Sequence, residues 1–307
     1  MNHTEDIEPQ TINDSGSDNF PKKINNRLIL KDLFLIYKEK EIDVVAIQGF
    51  NATFNAGEIS VIMGPSGSGK TSLLKLIGGV LTPNSGEILF GEAKVSEMDE
   101  NELAEYRRNS IGFLFQDKNL IPHLTIYENL EFIFDYQNFS HKKTSAQIEF
   151  LLKELNLQDR SSHRPTQLSG GQNQRAGLAV ALANNPEIIL TDEPSGELDS
   201  VSRNEIIKLL KTTIEKYPEK ILIIVTHDPE FLSIADHVYF LEDGKIKSHM
   251  DSVELGEFLK NKTINKVKNG INDTQITIQK SDFEALKEKI KEMQKKIEKI
   301  EATKRIY

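Results

Sequence analysis

One stretch of this sequence determines how the rest is interpreted: Gly64-Pro65-Ser66-Gly67-Ser68-Gly69-Lys70-Thr71. It fits the pattern G-x-x-x-x-G-K-[S/T], follows the apolar run Glu58 to Met63, and opens a helix-compatible stretch, Lys70 to Ile77. In that context the glycines allow backbone N–H groups to wrap phosphate groups, and the helix N-terminus adds positive potential. The stretch therefore predicts a phosphate-binding loop for a nucleotide.

The side chains of this loop have distinct expected roles. Lys70 is placed to reach the β- and γ-phosphates, and the Thr71 hydroxyl is expected to be a ligand of Mg²⁺. The other nucleotide contacts are expected from the loop and the residue after it: Gly64, Pro65, Ser66, Gly67, Ser68, Gly69 and Ser72. A glycine-rich turn without a ligand is the alternative, which the strand–loop–helix context disfavours.

A pair of carboxylates ends a later apolar run, Ile188 to Thr191. Asp192 is suited to hold Mg²⁺ from the end of a strand, and Glu193 beside it is suited to polarise an attacking water. Acidic residues also end many buried strands that have no catalytic role. The pair gains its meaning from the phosphate-binding loop upstream.

The segment Leu168-Ser169-Gly170-Gly171-Gln172 is the most specific feature of the chain. Its two glycines at the start of a helical stretch predict a second phosphate-binding helix N-terminus, and a flexible turn is the alternative. With this segment the sequence resembles the nucleotide-binding subunits of ATP-binding-cassette (ABC) transporters. The resemblance covers about residues 28 to 248 and implies ATP as ligand.

Further motifs of the family follow in its order. Tyr37 matches the aromatic residue that stacks on adenine, although an ordinary strand aromatic is the alternative. Gln116 matches the glutamine that contacts Mg²⁺ and water, and Ser195 to Asp199 matches the D-loop, with Asp199 among the nucleotide contacts. His227 matches the switch histidine at the γ-phosphate.

The resemblance also implies a mechanism and partners. Glu193 would be the general base or the carboxylate that orients water, with Lys70, Gln116 and His227 as the other catalytic groups. In the family, Ser169, Gly170, Gly171 and Gln172 of one subunit face the phosphate-binding loop of another. The chain is therefore expected to pair, by default as a homodimer, and to drive a separate membrane permease from the cytoplasmic face of the membrane.

The amino-acid sequences of two segments indicate a branch of the family. Residues 112–129 and 192–199 are similar to the lipoprotein-release, macrolide-export and cell-division branch. Ser195 stands where threonine is commoner and Asn173 where glutamine is common, and 177–180 lacks a basic residue that is often present there. The assignment to this branch is thus an expectation that rests only on the sequence similarity of these two segments.

Composition narrows the choice of function classes. The net charge of −9 disfavours a nucleic-acid binder, because such domains usually carry a basic surplus. The absence of cysteine excludes a disulfide scaffold, a thiolate metal site and a cysteine nucleophile. No apolar run reaches the roughly 20 residues of a membrane span.

The order of predicted elements favours an α/β fold. Strands and helices alternate, which predicts a parallel sheet of the P-loop NTPase (RecA-like) type, with an N-terminal antiparallel β subdomain implied by the resemblance. The domain is expected over residues 27–250, with a helical insertion at about 97–165. Thr125 and Glu128 have the spacing of a capping box, and Asp243-Gly244 predicts a hairpin turn.

The two ends differ from this domain. Residues 1–26 are polar and acidic and predict a disordered tail. Residues 251–279 are expected to be a linker, and 280–304 a short coiled-coil-like helix. Its heptad positions are Phe283, Leu286, Ile290, Met293, Ile297 and Ile300. A partly ordered charged tail is the alternative, since so few heptads are marginal alone.

Two other functions within the family remain open. A non-transport ATPase of DNA repair or of the ribosome is disfavoured by the acidic charge, by the single cassette and by the short separation of Lys70 from Ser169. A signalling complex of the cell-division type, in which ATP cycling controls an outside enzyme, is not separable from export by sequence.

Overall fold

The computed structural model describes residues 27–38, 43–116, 119–135 and 141–257. The strands, in chain order, are β1 (Arg27–Lys38), β2 (Asp43–Asn55), β3 (Ile59–Met63), β4 (Ser85–Phe90), β5 (Ala93–Lys94), β6 (Ile111–Leu114), β7 (Ile188–Asp192), β8 (Ile221–Thr226), β9 (His237–Glu242) and β10 (Lys245–Met250). The helices are α1 (Lys70–Ile77), α2 (Glu100–Ser110), α3 (Ile126–Asp135), α4 (His141–Glu154), α5 (Gly170–Ala183) and α6 (Ser200–Lys216).

The smaller of the two sheets is antiparallel and is formed by strands that come before and after β3 in the chain. Its order is β2-β1-β4-β5, and side chains of β1 alternate between buried and exposed, as expected of a strand with one covered face. The antiparallel β subdomain implied by the family resemblance is therefore present. A Cβ at Gly86 (φ +93°) would lie 2.3 Å from the Asp32 carbonyl oxygen, so β4 can approach β1 only with glycine there.

The central sheet has the order β10-β9-β3-β8-β7-β6. Strands β9, β3, β8, β7 and β6 are parallel, and β10 closes the edge as an antiparallel hairpin partner of β9. All residues of β3 and β8 are buried, which explains why they are apolar apart from Ser60 and Thr226. The predicted parallel α/β sheet is confirmed.

One strand of this sheet lies inside the region expected to be a helical insertion. β6 pairs in parallel with β7, from Ile111 opposite Ile188 to Leu114 opposite Thr191. β6 therefore interrupts the expected helical region and separates α2 from α3 and α4. A Cβ at Gly112 would lie 2.3 Å from the carbonyl oxygen of Ala181, so glycine in β6 allows α5 to pack on the sheet.

The helical region after β6 begins with a capped helix, α3, which packs against α5. At the start of α3, Thr125 N donates to Glu128 Oε2 at 2.7 Å, and Glu128 N donates to Thr125 Oγ1 at 3.2 Å. This is the capping box predicted from the sequence. Leu130 and Phe134 are buried in the same apolar cluster as residues of α5, so α3 packs against the helix that carries Gly170 and Gly171.

The predicted hairpin turn joins β9 to β10 at the edge of the central sheet. Asp243 and Gly244 have φ of 51° and 73°, the positive values that a tight hairpin turn requires. Residues 252–257 then form a helical segment in which Leu255 is buried, so the folded part extends beyond residue 250. The tail 1–26 and the heptad segment 280–304 lie outside the described residues. Within the described ranges, no helix is long and apolar enough to cross a bilayer.

Candidate nucleotide-binding and catalytic site

The phosphate-binding loop has the backbone that its glycines predict. Gly67 and Gly69 have φ of +80° and +101°, and Gly69 directly precedes α1. A Cβ at Gly69 would lie 2.2 Å from the carbonyl oxygen of Ala46, and one at Gly64 would lie 2.1 Å from that of Leu241. The loop is thus clamped between β2 and β9, with its N–H groups arranged around the start of a helix.

Lys70 folds back over this loop. Its Nζ donates to the carbonyl oxygens of Gly64 and Pro65, each at 2.9 Å, and the residue is 8% exposed. Burial lowers the pKa of Lys70, while the carboxylates of Glu193 and Asp192 oppose that shift. The two hydrogen bonds therefore hold the ammonium group at the loop. When a nucleotide binds, its phosphate oxygens would replace these carbonyl oxygens as acceptors.

Thr71 and Asp192, which the sequence predicts as ligands of Mg²⁺, lie next to each other. The Thr71 hydroxyl donates to Asp192 Oδ2 at 2.8 Å, joining the start of α1 to the end of β7. Burial raises the pKa of Asp192, and the Thr71 hydrogen bond acts in the opposite direction. Hydroxyl and carboxylate oxygens fit Mg²⁺, which is commonly held by one or two protein carboxylates and by substrate phosphates. Where the chain is described, no cluster of three histidine or acidic side chains offers another metal site.

Tyr37 lies beside the helix that starts at this loop. Its hydroxyl is 3.1 Å from Ser72 Oγ, and 36% of the residue is exposed. The ring therefore stands at the rim of the phosphate-binding loop with one part open to solvent. Tyr37 belongs to β1, as an ordinary strand aromatic would, and its stacking on adenine remains a prediction.

Glu193 follows β7 in a left-handed backbone conformation, with φ +49°. Its Oε1 is 2.9 Å from His227 Nδ1, and its Oε2 accepts hydrogen bonds from Thr226 Oγ1 at 2.9 Å and His227 N at 3.3 Å. Glu193 N donates to the Val225 carbonyl oxygen at 2.8 Å. The carboxylate is thus held beside the end of β8, with the exposed His227 ring next to it.

Gln116 reaches the D-loop. A Cβ at Gly196 would lie 2.8 Å from Gln116 Nε2, so the amide group rests directly on that glycine. Gln116 is exposed and follows β6, the strand next to β7. The glutamine therefore connects the end of β6 to the D-loop.

The D-loop is joined to the segment after His227 by Ser195 and by two side chains for which no role was predicted, Asp228 and Arg203. Ser195 Oγ donates to Asp228 Oδ2 at 2.8 Å, and Arg203 Nε lies 3.2 Å from the same oxygen. Arg203 also pairs with Glu230 at 3.3 Å. Asp199 caps α6 by accepting from Val201 N and Ser202 N, and these bonds, led by those of Ser202, lower its pKa.

The segment 168–172 forms the predicted helix start. Ser169 is the N-cap of α5 and forms a capping box with Gln172, whose N donates to Ser169 Oγ at 3.3 Å. A Cβ at Gly170 would lie 3.2 Å from Leu198 Cδ2, and one at Gly171 would lie 2.7 Å from Ser202 Oγ. These contacts place the helix start against the D-loop and α6 of its own chain.

Within one chain, the expected residues fall into two groups. Lys70, Thr71, Asp192, Glu193 and His227 are joined by hydrogen bonds or by electrostatic interaction at the carboxyl ends of the parallel strands. The described contacts of residues 169–172 run instead to the D-loop and α6. Thr226, Asp228 and Arg203 were missed. A threonine at the end of an aliphatic strand, next to a histidine, was the available signal.

The comparisons with known proteins agree with this geometry. The family model described as "ABC transporter" matches residues 47–196. An uncharacterised ABC transporter ATP-binding protein of Methanocaldococcus jannaschii is 41% identical over 222 residues, covering 71% of this chain and 94% of that protein. The macrolide export ATP-binding/permease protein MacB of Marinobacter nauticus is 41% identical over 217 residues, which cover 71% of this chain but 33% of that protein.

A solved structure of the same M. jannaschii cassette is a dimer in a post-hydrolysis state bound to ADP and phosphate. Its fold matches with a TM-score of 0.69 at 37% identity, over 73% of this chain and 98% of that chain. The similarity to that cassette and to the MacB protein confirms the predicted branch resemblance. The chain therefore belongs to the ABC transporter ATP-binding proteins and is an ATPase.

Proposed function

We propose that two copies of this chain close around two ATP molecules and use their hydrolysis to drive a membrane permease. The observation that carries the proposal is the carboxylate of Glu193, held by Thr226 and His227 next to the Lys70–Asp192 region. A fixed carboxylate beside a phosphate-binding loop is what water attack on a γ-phosphate needs. ATP hydrolysis is an activity of the family. The proposal concerns how the residues of this chain perform it.

Each residue of the site has a proposed task. Lys70 and the loop N–H groups hold the phosphates and stabilise the charge that develops on them. Thr71, Asp192 and Gln116 would hold Mg²⁺, which neutralises phosphate charge when bound. Glu193 orients the attacking water and accepts its proton. His227 lies against Glu193 Oε1, at 2.9 Å, and positions the γ-phosphate beside it.

Pairing supplies the second half of each site. Ser169 and the two glycines after it start α5 away from the hydrogen bonds that gather Thr71, Asp192 and His227. The helix N-terminus carries positive potential suited to a γ-phosphate. The dimeric state of the solved relative supports a partner chain as the source of that phosphate-binding group. A homodimer is the simplest arrangement, since the chain has one copy of each motif.

The permease would dock on the region that follows β6. Ile121 and Phe132 are 40% and 43% exposed there, and Gln116 at the start of the region rests on Gly196 of the D-loop. The relative MacB carries a permease within its own chain, which supports a membrane partner for this one. The proposed location is peripheral, at the cytoplasmic face of the membrane, in a lipoprotein-release or efflux system.

Co-purification in detergent tests this partner. The full chain should retain a membrane protein with a large outer domain, because that is the type of permease on which this branch acts. Ile121→Ser with Phe132→Ser should weaken the complex, whereas Val253→Ser, at a residue 68% exposed elsewhere in the chain, should not. Recovery of the chain without any membrane protein from its native membranes would contradict a transport role and favour a non-transport ATPase. An outside enzyme in the complex would favour signalling.

A further inference from the structure

Thr226 is an unusual residue for its position. It ends β8, whose other five residues are aliphatic, and it is fully buried, at 0% exposure. Its Cα partner across the parallel pair is Met63, the last residue before the phosphate-binding loop. Burying a hydroxyl costs free energy unless hydrogen bonds compensate, so the partners of this hydroxyl indicate its purpose.

The direction of its single proton follows from those partners. Asp228 N donates to Thr226 Oγ1 at 3.0 Å and occupies a lone pair of the oxygen. A hydroxyl has one proton to donate, and the acceptor within reach is Glu193 Oε2, at 2.9 Å. The proton of Thr226 is therefore committed to the carboxylate.

Because of this hydrogen bond, the two carboxylate oxygens of Glu193 have different partners. Oε2 is held by the Thr226 hydroxyl and by His227 N, whereas Oε1 faces His227 Nδ1 at 2.9 Å. We infer that Thr226 is a positioning residue for ATP hydrolysis, which fixes Oε2 so that Oε1 is presented to the attacking water. The inference rests on the proposed role of Glu193 and adds the group that sets the orientation of its carboxylate.

The neighbouring strand supplies a matched comparison. Thr191 in β7 is also fully buried and lies opposite Ile224 of β8. Its Oγ1 has no hydrogen-bond partner among the described residues. Two buried threonines on adjacent strands thus differ in their hydrogen bonds: the Thr226 hydroxyl joins Glu193 and Asp228 N, and the Thr191 hydroxyl joins neither. Replacing each by the isosteric valine separates the effect of these bonds from that of removing a buried hydroxyl.

The test uses the full-length chain with Thr226→Val, Thr226→Ser, Thr191→Val and Glu193→Gln, and measures kcat and KM for ATP. Thr226→Val should lower kcat roughly 10- to 100-fold, the scale expected for a misplaced catalytic group. Its KM should stay near that of the wild type, because the phosphate-binding loop is unchanged. Thr226→Ser should restore kcat, and Thr191→Val should leave it unaltered. If Thr226→Val does not fold, Thr226→Ala takes its place.

The possible failures are distinguishable. A wild-type kcat in Thr226→Val, together with a strong loss in Glu193→Gln, would overturn the positioning role alone. A loss that Thr226→Ser does not restore, or an equal loss in Thr191→Val, would also overturn it in favour of general packing. Full turnover in Glu193→Gln would overturn the proposed role of Glu193 and, with it, this inference.

Discussion

At the scale of single residues, the site depends on a few buried charges that are held in place by neighbours. Asp228 has a side chain only 11% exposed, and its Oδ2 is shared between Arg203 Nε and the Ser195 hydroxyl. Arg203 also donates towards the carbonyl oxygen of Leu198, at 3.4 Å, and pairs with Glu230. One guanidinium group thus ties the D-loop, α6 and the segment after His227 together.

We expect Arg203→Met to destabilise the fold because it leaves the buried Asp228 carboxylate without its cation. The loss in free energy of unfolding should be about 1–3 kcal/mol, the cost of an unsatisfied buried polar group. The control is Lys211→Met, on the same helix, whose pair with Glu215 is 51% and 61% exposed and should contribute about 0–1 kcal/mol. Urea unfolding measures both. Equal losses in the two variants would contradict a special role for Arg203.

At the scale of elements, α5 and α6 meet where glycine permits close approach. A Cβ at Gly171 would lie 2.8 Å from Ser202 Cβ, an atom with little freedom to move. At Gly170 the nearest atom is Leu198 Cδ2, at 3.2 Å, which is the flexible end of its side chain. The close approach of α5 to α6 therefore depends more on glycine at position 171 than on glycine at position 170.

Gly171→Ala should force α5 away from α6 and lower the free energy of unfolding by about 1–3 kcal/mol, as overpacking does. Gly170→Ala, the matched variant, should cost less because Leu198 can rotate. Thermal unfolding of the two variants measures both losses in the free energy of unfolding. A larger loss for Gly170→Ala would show that the contact with Ser202 does not limit the approach of these helices.

Much of this element pattern follows from the sequence. The helix α1 was predicted to the residue, from Lys70 to Ile77, because a glycine-rich loop precedes it. β6 was missed, since four residues directly after a helix carry little periodic signal. Thr226 and Arg203 were missed because their importance arises from contacts with residues that are distant in the chain: Glu193 for Thr226, and Asp228 and Glu230 for Arg203.

At the scale of the whole molecule, the end of the sheet opposite the phosphate-binding loop also contains a buried charge. Lys220 is 3% exposed, and its Nζ donates to Asn185 Oδ1 at 2.8 Å and to the Pro186 carbonyl oxygen. Burial lowers its pKa to about 8. The unfolded chain, with an ordinary lysine, binds more protons than the folded chain between that value and 10.5.

The free energy of unfolding should therefore gain a contribution from Lys220 as the pH rises through this window. The gain approaches about 3 kcal/mol above pH 10.5, at 1.36 kcal/mol per pKa unit. Lys220→Met removes the titration, so the stability of the wild type relative to the variant should increase from pH 7 to pH 10.5. Denaturant unfolding across that range measures the difference. A difference that is constant with pH would contradict the lowered pKa.

The central claim, that Glu193 is the hydrolytic carboxylate of a site shared by two chains, is tested most directly by Glu193→Gln. The variant keeps the shape of the side chain and removes its charge, while Lys70 and the phosphate-binding loop are unchanged. We predict retained ATP binding, a fall in ATP hydrolysis of at least about 100-fold, and a mass in ATP solution equal to two chains. Unchanged turnover, or a single chain with ATP bound, would contradict the account.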